Sequence, residues 1–188
     1  MGCTKNCVLE IHGFRDASKE AMCASIYLRI LNNSYCTMHL LISKVAPIKT
    51  QTTARLEFCA ALLLSKLVDS ILDLLHISKY PVYLWSDSMV TLAWIKSSPH
   101  FWQPFISHRV AEIQKLTSNV HWHHIDGKLN PADLATRDIS QSSGQLKSWW
   151  HGPELLNNNN KAYSLHSNEF SCSECPERLK SCLIVHIN

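Results

Sequence analysis

Four carboxylates stand where a fold could gather them: Asp16, Glu57, Asp87 and Asp133. Acids sharing a site repel one another, and that repulsion is tolerated where cations neutralise it. Donors that are oxygen only select hard ions, Mg²⁺ or Mn²⁺. Two such ions about 4 Å apart can clamp the attacking and leaving oxygens of a phosphodiester. Each acid also has an ordinary structural role open to it. Asp133 lies three residues after Asn130, where an acid suits a helix N-terminus. Ser86 or Asp87 could cap a helix, Glu57 could be a plain first-turn acid, and Asp16 could be a turn residue.

The elements around these acids decide between the two readings. Residues 9–15 alternate apolar and polar and predict a strand ending at Asp16. Segments 23–30 and 35–43 predict two more strands joined by the turn residues Asn32-Asn33-Ser34, hence an antiparallel meander. Residues 44–53 read as a polar, basic loop. From Ala54 the apolar residues Leu56, Ala60, Leu63, Leu67, Ile71 and Leu74 recur at helical spacing, predicting a long amphipathic helix to about Leu75. Residues 80–86 predict a central fourth strand ended by Asp87, followed by a short helix over 88–96. A helix over 103–116 and a fifth strand over 119–125 follow. Asn130 and Pro131 suit the N-cap and first position of a last helix. The order β-β-β-α-β-α-α-β-α predicts an α/β fold, a mixed five-stranded sheet with flanking helices. If the first and fourth strands are neighbours, Asp16 and Asp87 meet at their C-terminal ends, and Glu57 faces them from the packed helix.

Composition sets the bounds. The chain has 188 residues, 46 % apolar and 18 % charged, enough for one domain with a substantial core. A net charge of +3 permits a nucleic-acid partner without demanding one. The longest apolar run, Phe58 to Leu64, is far too short to cross a bilayer. The start of the chain lacks a long apolar stretch of the signal-peptide type. The expectation is therefore an intracellular protein, cytoplasmic or nuclear and not secreted, with no membrane partner and with reduced thiols.

Four segments carry a resemblance: Phe14-Arg15-Asp16-Ala17-Ser18, Arg55-Leu56-Glu57-Phe58-Cys59-Ala60-Ala61, Leu84-Trp85-Ser86-Asp87-Ser88 and Asn130-Pro131-Ala132-Asp133-Leu134-Ala135-Thr136-Arg137. As a set they resemble the motifs of the ribonuclease H domain, and more narrowly the ribonuclease H region of Pao/BEL-type retrotransposon polyproteins. Ser43 to Lys49, Trp94 to Pro99 and Trp149-Trp150-His151-Gly152-Pro153 fit the same group. The resemblance covers about residues 9–156. It implies a ribonuclease H-like fold over 9–139, after an N-terminal tail of residues 1–8 and before a C-terminal extension over 140–156. It also implies a metal-dependent endoribonuclease that cuts the RNA strand of RNA–DNA hybrids, with Asp16, Glu57, Asp87 and Asp133 holding two Mg²⁺ ions (Mn²⁺ in their place). In a full element the partner in the same polyprotein is a reverse transcriptase. Three departures stand out: Arg15 beside the first acid, a shortened loop over 43–45, and Thr53-Ala54 before Arg55.

Other residues offer further functional readings. In many ribonucleases H a loop histidine upstream of the last acid assists catalysis or product release, and His124 is the nearest counterpart here, although its place on an alternating strand favours a plain strand residue. Hybrid contacts would rest on Lys44, Lys49, Arg55 and Arg137, with Lys96, Arg109 and Lys128 nearby. Phe101 and Trp102 could stack on sugar or base, or fill the core. Cys172-x-x-Cys175 is a weak metal signal without well-spaced partners. The run Asn157 to Asn160 reads as linker, and residues 157–188 read as a poorly ordered tail, dispensable for folding. A catalytically inactive binding module on the same fold is the alternative function. An integrase-like transferase would need its glutamate later than Glu57.

Overall fold

Strand β1 (Val8–Ala17) lies at the centre of a five-stranded sheet. It pairs antiparallel with β2 (Ala21–Asn32), which pairs antiparallel with the edge strand β3 (Tyr35–Pro47). On its other side β1 runs parallel to β4 (Val82–Ser86), and β4 parallel to β5 (His121–His124). The sheet order is β3-β2-β1-β4-β5. This computed structural model describes residues 7–32, 35–48, 50–137, 143–157 and 175–179. The expected mixed sheet is present, and the first and fourth strands are neighbours, paired from Ile11–Val82 to Phe14–Trp85.

Helix α1 (Thr53–Leu75) covers one face of the sheet. Thr52 caps it by accepting from the Arg55 amide, and His76 ends it in the left-handed region at φ 52°. Leu64, Val68 and Ile71 pack on Ile11, Ala24, Ile26, Val82 and Leu84. Contact is close enough to require a glycine: a Cβ on Gly13 would lie 2.7 Å from Leu84 and 2.9 Å from Leu64. Helices α2 (Met89–Lys96) and α3 (Pro104–Leu116) build a second core on Phe58, Trp94, Ile106, Val110 and Ile113. On the other sheet face α4 (Asp133–Thr136), α5 (Ser143–His151) and Leu156 cover Phe14, Tyr27, Met38 and Trp85. Residues 143–156 of the extension thus supply part of the core.

Three expectations are corrected. Residues 44–47 continue β3 instead of forming a loop, paired as Ala24–Lys44 and Cys23–Val45; on an exposed edge strand, polar residues cost little. Asn130 does not cap α4, which starts at Asp133 after Ala132. Finally, residues 175–179 are no loose tail. Cys175 is buried among Trp94, Trp102 and Phe58, and it is disulfide-bonded, against the reduced-thiol expectation. The Trp94 indole donates to the Pro176 carbonyl at 3.1 Å. The Gln103 amide donates to the Glu177 carbonyl at 2.8 Å and the Leu179 amide to that of Phe101 at 2.9 Å. These residues lack a period of their own because each satisfies groups on α2 and on the loop before α3. Residues 158–174 and 180–188, and with them Cys172, lie outside the described residues.

Candidate active site

Side chains alternate across a strand. On β1 this sets Ile11, Gly13 and Arg15 toward α1, and His12, Phe14 and Asp16 toward α4 and α5. Asp16 is buried, and its Oδ2 accepts from the Thr136 hydroxyl on α4. Asp87 follows Ser86 at the end of β4 and keeps 23 % side-chain exposure. Two residues beyond the last paired positions, Phe14 and Trp85, Asp16 and Asp87 stand at the same end of adjacent parallel strands. The loop after β5 closes over Asp87, and a Cβ on Gly127 would lie 3.2 Å from its Oδ2.

Between these acids stands Arg15, fully buried. Its Nη2 donates to the Ser86 hydroxyl and lies 3.5 Å from Asp87 Oδ1. Burial pushes the guanidinium pKa down, while the carboxylates of Asp87, Glu57 and Asp16, in that order, hold it up. Arginine nonetheless stays protonated. Three of the four predicted acids therefore sit within electrostatic reach of one buried cation.

The fourth, Asp133, opens α4. Burial pushes its carboxyl pKa up; Asp16 and, less, Asp87 add to that, and Arg137 works against them. Arg137 Nε lies 2.7 Å from Asp133 Oδ1 but is mostly exposed, so its field is screened. Asn130 fixes this end: its Nδ2 donates to the Arg15 carbonyl at 2.9 Å, and its Oδ1 accepts from the Ala132 amide at 3.2 Å. Sequence reading gave Asn130 only a capping role; its burial was the missing signal. A cavity of about 400 Å³ opens beside Asp133, lined also by Lys128, Gln145 and Glu154.

In type the donor set suits a divalent cation, since all four side chains offer hard oxygens. The expected convergence is corrected in one respect. Among the described residues, no three acidic, histidine or cysteine side chains are drawn up as a metal-binding group. Arg15 stands among the acids instead.

The remaining candidates separate. His124 is exposed at the end of β5, level with Ser86. Lys44 is exposed on β3, in the row that runs through Ala24 to Arg15. Arg55 is not available to a phosphate: its guanidinium grips Glu177 at 2.7 and 2.9 Å and lies over the Phe105 ring. Arg109 lies over the same ring and donates to the Phe105 carbonyl. Trp102 is in the core, while Phe101 stays partly exposed. Lys49 lies outside the described residues.

Sequence reading missed a second polar group on the α5 side of the sheet. Glu10, His12 and Arg29 are buried there. Arg29 donates to Glu10 at 2.7 Å and to the Leu156 carbonyl at 2.7 Å. The Trp85 indole donates to His12 Nδ1 at 3.1 Å. Burial pushes the His12 pKa down, and that of nearby His123 down to about 4. The group ties β1, β2 and β4 to the turn at Leu156.

Residues 2–88 match the family model described as the Pao retrotransposon-like RNaseH-like domain. Among curated proteins none matches. Solved structures give the following likenesses. LC11-RNase H1, from a compost metagenome and in complex with RNA/DNA hybrid, is 18 % identical, covering 66 % of this chain and 91 % of that one, with a TM-score of 0.45. RNase H1 from the halophilic archaeon Halobacterium salinarum is 11 % identical, covering 66 % and 89 %, with a TM-score of 0.42. Prototype Foamy Virus protease-reverse transcriptase is 14 % identical, covering 81 % and 20 %, with a TM-score of 0.42. Among the described residues no helix is long and apolar enough to cross a membrane.

Proposed function

Residues 2–88 match the model of the Pao retrotransposon-like RNaseH-like domain family, and from that match we propose that the chain hydrolyses the RNA strand of RNA–DNA hybrids with the help of divalent cations. One observation carries this reading: Asp16 and Asp87 stand at the same end of two parallel central strands, with Asp133 of α4 within electrostatic reach of both and Glu57 of α1 within reach of Arg15 beside them. Asp16, Glu57, Asp87 and Asp133 are the residues that would hold divalent cations, Mg²⁺ or Mn²⁺, with Arg15 among them. A bound divalent ion there would activate water and stabilise charge on the departing oxygen. The chain's own part is orientation. Thr136 fixes one oxygen of Asp16, Asn130 holds the Asp133 loop to β1, and the Gly127 loop covers Asp87.

Hybrid would be read through shape and 2′-hydroxyls, with no base readout needed. Lys44 and Lys128 are the exposed cations on offer nearby, and affinity would fall with salt. In a longer polyprotein a reverse transcriptase would be the functional partner. A non-catalytic binding module is the second reading, favoured by the Arg15–Asp87 contact, which compensates an acid within the protein itself. Labelled RNA–DNA hybrid, RNA duplex and DNA duplex, each with Mg²⁺ or with chelator, test the proposal. The expected result is cleavage of the hybrid's RNA strand in Mg²⁺ alone. Binding of hybrid with no cleavage in any condition would favour the module.

A further inference from the structure

Residues 175–179 are held on α2 and the start of α3 by contacts that do not use the Glu177 side chain. Cys175 is buried, the carbonyls of Pro176 and Glu177 accept from Trp94 and Gln103, and the Leu179 amide donates to Phe101. Glu177 nonetheless stands at φ 68°, in the left-handed region that glycine, asparagine and aspartate enter more readily. A residue kept in such a conformation points to a use for its side chain. That side chain meets the first turn of α1, where its two oxygens accept from Arg55 at 2.7 and 2.9 Å.

The paired bonds of Arg55 have the geometry by which a guanidinium grips either a carboxylate or a phosphate. The surroundings suit a phosphate. Arg55 lies 4.6 Å and Arg109 3.7 Å from the centre of the same Phe105 ring, and Arg109 Nε is buried with no hydrogen-bond acceptor. Arg178 lies over the partly exposed Phe101 ring. Three guanidiniums thus stand around two aromatic rings, and Glu177 sets one carboxylate against them. Excess positive charge interleaved with rings suits a nucleic-acid strand, by phosphate contact and by stacking. The ion pair is also within reach of a ligand, since Arg55 keeps 33 % and Glu177 17 % side-chain exposure.

We infer that Arg55 and Arg109 form a binding site for a nucleic-acid phosphate, and that the Glu177 carboxylate occupies it as a built-in stand-in that keeps it closed. The inference rests on the nucleic-acid reading above. It makes residues 175–179 an autoinhibitory clip, so that the chain holds hybrid less tightly than its own cations allow.

Hybrid binding by the full chain, in chelator so that no strand is cut, is measured over a range of salt for wild type, Glu177→Gln, Arg55→Gln and the double variant, with melting curves to identify folded protein. Glu177→Gln is expected to bind about 3–10-fold more tightly at low salt. Its slope of log affinity against log salt is expected to be steeper by about one, the mark of one added phosphate contact. Arg55→Gln alone is expected to change affinity by less than about twofold, and in the Glu177→Gln background to abolish the gain. If Glu177→Gln does not fold, Glu177→Asn, which suits the left-handed backbone, takes its place with the same expectations. Equal affinity and slope in wild type and the folded Glu177 variant overturn the inference and leave the ion pair a structural clip. A gain that survives Arg55→Gln overturns it as well, because net charge alone then explains it. So does a loss of affinity in Arg55→Gln alone, because Arg55 is then already open to the ligand. Wild type that cleaves hybrid in Mg²⁺ while the Glu177 variant shows no gain sinks this inference alone. No binding by any variant, with no cleavage in Mg²⁺, sinks it together with the nucleic-acid reading.

Discussion

The Asn130 side-chain amide donates to the main-chain carbonyl of Arg15 at 2.9 Å, joining the loop before α4 to the end of β1. Through that bond the strand bearing Asp16 sets the position of Asp133. Asn130→Ala removes the tie and leaves a buried carbonyl without its donor, a loss of about 1–3 kcal/mol. Misplacement of a reacting group by about 1 Å can cost on the order of 100-fold in rate. Cleavage is therefore expected to fall by about 10–100-fold, far beyond what the fraction unfolded explains. Paired melting and cleavage measurements check this, and a rate that tracks folded protein alone would reduce Asn130 to a structural tie.

The sheet was legible because the helical period of α1 and the short strands around it are strong signals. The partnership of β1 with β4 was the condition under which the two acids at strand ends would meet, and the sheet fulfils it. What stayed hidden is instructive. Leu9-Glu10-Ile11-His12 alternates like a half-exposed strand, yet Glu10 and His12 are buried because Arg29 and Trp85 satisfy them from other strands. Residues 44–47 look like loop because an edge strand tolerates polar side chains. Arg15 was visible as a departure, but its place among the acids depends on which face of β1 meets α1. Residues 175–179 have no period at all, since they dock by backbone groups and one ion pair.

That docking makes a stability prediction. The Arg55 guanidinium holds the Glu177 carboxyl below its ordinary pKa through their hydrogen bonds. A carboxyl lowered in the folded state stabilises above its unfolded pKa, and this contribution is lost as pH falls through the lower folded value. Glu177→Gln is expected to lower the Tm by about 1–3 °C at neutral pH and to matter less in acid. Truncation after Leu156 is expected to cost more, because it uncovers Trp94 and Trp102. Thermal unfolding of the three proteins checks both, and an unchanged Tm on truncation would show the contact to be idle.

His12 and the half-buried His123 predict a second pH dependence. His123 titrates near 4 and His12 is also lowered, both mainly by burial, against about 6.5 when unfolded. The unfolded chain therefore takes up protons first, and stability falls as pH drops from about 6.5 toward 4. His123→Gln is expected to flatten this slope in Tm measured against pH. A slope that the substitution leaves intact would place the titration elsewhere.

In the proposed reaction the acids at the ends of β1 and β4 hold the divalent cations that hydrolysis needs, a role beyond capping or packing. Asp16→Asn tests it most directly, since Asn keeps the size and can still accept from Thr136 while losing the charge. Wild type and variant are compared on one RNA–DNA hybrid in Mg²⁺, measuring binding and RNA-strand cleavage on the same samples. The variant is expected to bind hybrid within about threefold of wild type and to cleave it at least about 100-fold more slowly. Equal cleavage by the two proteins would contradict it.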